Sequence, residues 1–181
     1  RSLPRDHQYF VAGAAVYFVE QQWPDILNLW RISGNEAVLL RSAQTNLGDH
    51  WRIIPGDDRI FLILEQWDFG ARLSGQLALI SNDSDELVLL GQIEGYDSFD
   101  AAFVVNGDLF VGRSDQSDGE GYLFFSDGTA AGTGPVALAV PVSEWTTLRR
   151  IELVGETYFI LLQASNSYTS RLLVRWDGPG S

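Results

Sequence analysis

The chain has 181 residues, 45% of them hydrophobic, which suffices for one ordinary domain with a sizeable core. All 12 cations are Arg, set against 24 acids, and neither Cys nor Met occurs. These zeros exclude a disulfide framework, a Cys-ligated metal, a Cys nucleophile, a Schiff-base Lys and a Walker-type phosphate loop. A net charge of -12 argues against DNA and RNA as partners, because those polyanions need a basic surface.

A chain that opens on Arg1 reads as a processed or partial sequence. The longest apolar stretch, residues 9–19, is far short of the roughly 20 residues a membrane-spanning helix needs, so no transmembrane segment is expected. Gly13 divides that stretch into two strands, 8–11 and 16–19. A polar insertion over 20–25 follows, then a third strand over 27–32, a turn at 33–35 and a fourth strand over 37–40. The same order returns with a strand over 51–54, a Pro55-Gly56 turn, strands over 60–64, 77–80 and 87–90, and an insertion over 66–75. It returns again with a strand over 102–105, the Asn106-Gly107 turn, strands over 109–111, 122–125 and 136–140, and an insertion over 113–121. The last copy has strands over 151–154, 157–161 and 172–175 with an insertion over 163–170, and the chain ends before a fourth strand.

No window carries helical periodicity; short aromatic or β-branched runs alternate with turn signals. Asn-Gly and Pro-Gly between apolar runs are hairpin chemistry, because Gly and Asn tolerate the positive φ that tight turns require. The turns recur at separations of 43, 51 and 48 residues, the spacing of four-stranded propeller blades. The expected fold is therefore all-β, a β-propeller-type array of about four four-stranded antiparallel blades, with a β-sandwich as the alternative. The array forms a single propeller-type domain or propeller fragment over 1–181, with repeats near 7–48, 49–97, 98–145 and 146–181. Either residues 1–4 pair beside 173–175 and close the ring, or open blade edges lead to self-association.

In the third repeat, residues 122–133 read YLFFSDGTAAGT. This string resembles the "ELWRSDGTAAGT" signature of a bacterial repeat family of large secreted or surface proteins. The resemblance is complete over SDGTAAGT and fragmentary elsewhere, at Leu29-Trp30-Arg31 with Ser33-Gly34 and at Asp177-Gly178. It implies propeller arrays and a secreted or cell-surface location, and it brings no catalytic residues. Physically the motif builds a turn. Ser126 and Asp127 accept backbone N–H groups two or three residues on, Gly128 takes a positive φ, Thr129 and Thr133 cap, and Gly132 and Gly134 allow close approach to a neighbouring strand.

Asp115, Asp118 and Glu120 surround Gly119 and supply the hard oxygen ligands Ca²⁺ prefers, but without the spacing of an EF-hand loop. The plainer reading is a solvated loop kept soluble by its charge. His7 and His50 stand 43 residues apart at equivalent places, and no Gly-x-Ser-x-Gly elbow accompanies Asp49-His50. Trp30, Phe61 and Phe110 lie within strands and are expected to fill the core between blades. Trp23 with Gln22, and Trp67 with Gln66, sit in polar insertions, where a ring can stack on a sugar or anchor a peptide while amides hydrogen-bond. The expected function is a non-catalytic binding or interaction module of an exported bacterial protein, with a glycan or a protein as ligand. Two alternatives are a glycan-active hydrolase or lyase, its Arg and carboxylates converging from several first strands near Arg52, Arg149 and Arg150, and a structural spacer or assembly subunit.

Overall fold

The computed structural model describes residues 9–12, 15–22, 26–44, 50–56, 59–67, 73–81, 87–96, 98–114, 121–136, 138, 145–164 and 169–179. All regular structure among them is β-strand, in four sheets whose strands follow chain order. The first sheet comprises β1 (Tyr9–Ala12), β2 (Ala15–Gln22), β3 (Ile26–Ser33) and β4 (Glu36–Gln44); the second comprises β5 (His50–Pro55), β6 (Arg59–Trp67), β7 (Leu73–Ser81) and β8 (Leu87–Tyr96). The third holds β9 (Ser98–Val105), β10 (Asp108–Ser114), β11 (Gly121–Ser126) and β12 (Thr133–Pro135); the fourth holds β13 (Trp145–Val154), β14 (Thr157–Ala164) and β15 (Arg171–Trp176). This is a propeller-type array of blade-like antiparallel sheets. The chain divides into two compact units, residues 1–92 and 93–181, with the boundary inside β8.

The hairpin chemistry is clearest at Asn106-Gly107. Both residues have positive φ, 54° and 84°, and join β9 to β10 with Val105 opposite Asp108. Two successive left-handed residues match the right-handed twist of the flanking strands, and only Gly and Asn enter that region cheaply. Pro55-Gly56 behaves differently from a two-residue turn. Pro55 ends β5 opposite Ile60, the connection spans 56–58, and the Gly56 N–H donates to the Arg59 carbonyl at 2.9 Å. Gly13 and residues 1–8 lie outside the described residues.

The strands also reach further than their apolar runs. β2 continues through Glu20 to Gln22, β6 through Gln66 and Trp67, β7 begins at Leu73, and β14 takes in Gln163 and Ala164. Ladder hydrogen bonds continue there although the hydrophobic pattern has stopped. In the third sheet the fourth strand is Thr133–Pro135, ahead of the expected 136–140; the Val136 N–H still donates to the Leu123 carbonyl at 2.8 Å, and residues 137, 139 and 140 lie outside the described residues. The 126–133 turn delivers the chain directly back onto β11, pairing Ser126 with Thr133 and Phe124 with Pro135.

Within the first unit, Tyr17, Val19 and Leu29 of the first sheet pack with Ile60, Leu62, Leu64, Ala78 and Ile80 of the second. β6 is buried along both faces, as its unbroken apolar run from Ile60 to Leu64 requires. Within the second unit, Phe110, Leu123 and Phe125 of the third sheet meet Leu148, Ile151, Tyr158, Ile160, Leu162, Val174 and Trp176 of the fourth. Four rings interlock there: Phe110 lies 4.9 Å from Tyr158 and 5.7 Å from Trp176, and Phe125 lies 4.9 Å from Trp176, all in tilted or edge-on contacts. Gly112 lets the two sheets close, since a Cβ at that position would stand 2.6 Å from the Leu148 Cβ.

The Tyr158 hydroxyl donates to the Asp108 carboxylate, tying the fourth sheet to the third. Burial first, then that hydrogen bond and the charge of Asp108, raise the phenol above its ordinary value of 10.0. A group whose folded pKa is raised contributes stability that is complete below the unfolded pKa and drains as pH climbs beyond it. Urea midpoints are therefore expected to fall between pH 10 and pH 11, and Tyr158→Phe flattens that part of the profile. An identical alkaline slope in the two proteins contradicts this assignment.

Candidate functional site

The first sheet buries one face and leaves the other partly exposed. Because side chains alternate along a strand, Ala15, Tyr17 and Val19 of β2 point to the core while Val16, Phe18 and Glu20 point outward. Register carries the outward row across all four strands: Tyr9 pairs with Phe18, Phe18 with Trp30, and Trp30 with Leu39. Tyr9 is 71% exposed and Leu39 45%, while Phe18 and Trp30 are half-buried. Val11, at 65%, and Ile26, at 39%, extend the same surface.

Phe18 and Trp30 are nearly coplanar, 7° apart with centroids 6.2 Å apart. A polar clamp fixes the indole: Trp30 Nε1 donates to Glu20 Oε2 at 3.0 Å, and Asn28 Nδ2 donates to the same oxygen at 3.4 Å. Asn28 is itself buried. The clamp satisfies the Trp N–H and the Asn amide in a half-covered setting, where an unpaired polar group is costly. Trp30 is therefore no core filler: it lies on the opposite side of β3 from Leu29, facing away from the cluster it was expected to join. Phe61 and Phe110 are fully buried, as expected.

The sequence-predicted binding residues are only partly placed. Gln22 ends β2 opposite Ile26; Gln66 and Trp67 end β6 opposite Ser74 and Leu73. Trp67 thus belongs to a strand rather than to an insertion. Trp23 and the calcium candidates Asp115, Asp118 and Glu120 lie outside the described residues, as does His7, while His50 opens β5. Among the described residues no group of three or more His, Cys, Asp or Glu is gathered closely enough to hold a metal ion.

The arginines singled out on first strands are engaged within their own sheets. In the second sheet Arg52 Nε donates to Glu65 Oε1 at 2.6 Å, and Glu65 is buried. In the fourth, Arg149 Nε donates to Gln163 Oε1 at 2.7 Å, and Arg150 pairs with Glu152. Arg52 and Arg149 thereby satisfy buried polar side chains on their own sheets, whereas the Arg150–Glu152 pair is exposed.

The SDGTAAGT segment forms a self-contained turn. Asp127 Oδ1 accepts from the Thr129 N–H at 2.8 Å and from its hydroxyl at 2.7 Å, and Ser126 Oγ accepts from the Gly128 N–H at 3.2 Å. Thr129 Oγ1 accepts from the Gly132 N–H at 2.9 Å, and the Thr133 hydroxyl donates to the Thr129 carbonyl. Gly128 has φ 87°. Gly132 is needed for the turn's own Asp127 carboxylate, 2.0 Å from where a Cβ would sit, and not for a neighbouring strand; Gly134 faces open space. The hydrogen bonds named here all close within the turn, and the aromatic row of the first sheet is the better candidate for binding.

No protein-family model matches the sequence, and no curated protein matches it. Solved structures do. The β-propeller domain of the Trilobed protease from Pyrococcus furiosus, described as having an open velcro topology, is similar over 97% of this chain and 51% of its own, with a TM-score of 0.55 and 13% identity. A chain from a structural and mechanistic analysis of two prolyl endopeptidases is similar over 97% of this chain and 27% of its own, with a TM-score of 0.53 and 12% identity. The chain thus spans about half of the first and about a quarter of the second, and its fold is that of β-propeller domains.

Proposed function

We propose that the chain is a non-catalytic interaction module, a propeller-type scaffold that binds protein through the outward face of its first sheet. The observation carrying this reading is the row Tyr9, Phe18, Trp30 and Leu39, which runs across four paired strands and is open at both ends. Contiguous exposed apolar surface with aromatic anchors is the chemistry of protein interfaces. A sugar site needs hydroxyl-accepting groups beside its stacking ring; here the Glu20 oxygen nearest the indole is already occupied by Trp30 and Asn28. The setting we assign is the bacterial cell exterior, on the strength of the SDGTAAGT signature.

Photo-crosslinking tests the reading. With p-benzoylphenylalanine in place of Tyr9, illumination in an extract of exported bacterial proteins is expected to yield protein adducts, and Leu39→Asp is expected to abolish them. The reading fails if position 9 gives no adduct while a glycan array returns a signal that Trp23→Ala or Trp67→Ala removes.

A further inference from the structure

The core-facing side of the first sheet carries two cations among its apolar side chains. On β3, Leu29 is fully buried, and Arg31, two residues on, shares its side and pairs with Tyr17 and Val38. On β4, Leu39 belongs to the outward row opposite Trp30, and simple alternation would turn Arg41 outward as well. A bulge prevents this. The register shifts between Leu29 and Trp30, so that Arg41 pairs with Leu29 while Leu40 is the extra residue, packed against the core. One inserted residue thus brings Arg41 to the core side, diagonal to Arg31 and about 7–8 Å from it.

The Nε atoms of Arg41 and Arg31 are both buried and make no hydrogen bond, although Arg31 is engaged elsewhere. The residues paired with them, Leu29, Tyr17 and Val38, carry no charge. Ile60, Leu62, Ala78 and Ile80 of the second sheet, which pack with this face, are apolar too. A buried N–H left unbonded is costly, and neighbouring like charges repel. Scarcity of acids is not the cause, since the chain holds 24 of them. An anion seated between the two guanidinium groups removes both penalties, each Nε–H donating to one of its oxygens. We infer that Arg41, with Arg31 beside it, forms a binding site for a small oxyanion: a carboxylate, sulfate or phosphate group. The site stands on two strands of the first sheet and is independent of the aromatic row on the opposite face.

Isothermal titration calorimetry on the full chain tests this, with sodium acetate, sulfate and phosphate as separate titrants and sodium chloride holding the ionic strength constant. Circular dichroism confirms that each variant is folded. The wild type is expected to bind with a dissociation constant of about 1 mM, the scale of two charge-assisted hydrogen bonds. Binding of any titrant supports the site; acetate alone assigns a planar carboxylate ligand, and sulfate or phosphate alone a tetrahedral one. Arg41→Gln should weaken binding at least about tenfold. Arg41→Lys should weaken it too, because Lys keeps the charge and loses the planar fork of donors. Arg150→Gln removes an equal charge from an exposed pair and should leave binding unchanged. A wild type that binds none of the three overturns the inference, as does equal weakening by Arg41→Gln and Arg150→Gln. So does an Arg41→Gln that self-associates with its anion binding intact, the behaviour of an inward charge that only guards an edge strand.

Discussion

Phe110→Ala is expected to destabilise the second unit by about 3–5 kcal/mol, the cost of truncating a buried aromatic to a methyl group. Phe110 is fully buried and touches the rings of Phe125, Tyr158 and Trp176 at once, so the void opens between two sheets rather than within one. The neighbouring rings are large, and Tyr158 is held by its bond to Asp108, which limits how far they collapse into the void. At a urea dependence of about 2 kcal/mol per molar, the midpoint of that unit should fall by about 2 M. Fluorescence of Trp176 follows the change, because its ring contacts the deleted one. A midpoint shift under a few tenths of a molar contradicts the packing described.

The second large effect is expected at Gly112. Adding one methyl group places a Cβ 2.6 Å from the Leu148 Cβ, inside any real contact, and neither atom sits at the end of a flexible side chain. The sheets must move apart or the strands shift, which costs about 1–3 kcal/mol for Gly112→Ala. The cause is separable by a double-mutant cycle. In a Leu148→Gly background the same substitution should cost at least about 0.5 kcal/mol less, the smallest coupling expected of residues in contact. Strictly additive effects in the cycle would mean that Gly112 matters for its backbone and not for the approach of the two sheets.

Much of the fold is legible in the sequence because local chemistry and global packing agree. Asn106-Gly107 can hardly do anything but turn, and Ile60 to Leu64 is apolar on both faces because β6 is covered on both. Strand ends are less legible. Glu20, Gln66 and Gln163 look like loop, yet each continues a ladder whose hydrogen bonds do not depend on hydropathy. The fourth strand of the third sheet begins earlier than the sequence suggests for a related reason. Residues 136–140 have the stronger β-forming composition, but the compact 126–133 turn brings Thr133 to Pro135 beside β11 first.

The binding face is the least legible part. Trp30 inside an apolar strand reads as core, and only the register with Phe18 and Leu39 shows which side of the sheet it occupies. The Glu20 clamp joins residues eight and ten apart through a hairpin whose loop says nothing of its register. Alternation within β2 was the available signal: with Tyr17 and Val19 assigned to the core, Phe18 must face away. Arg31 and Arg41 likewise become neighbours only through the bulged register of β3 and β4.

The account stands on consecutive blade-like sheets packed face to face inside each unit. Nuclear Overhauser contacts in the second unit address it directly. Cross-peaks are predicted from the Phe110 ring to the rings of Tyr158 and Trp176, and from the Gly112 α-protons to the Leu148 side chain. Intact strand pairing within the third and fourth sheets, with all of these cross-peaks missing, would contradict it.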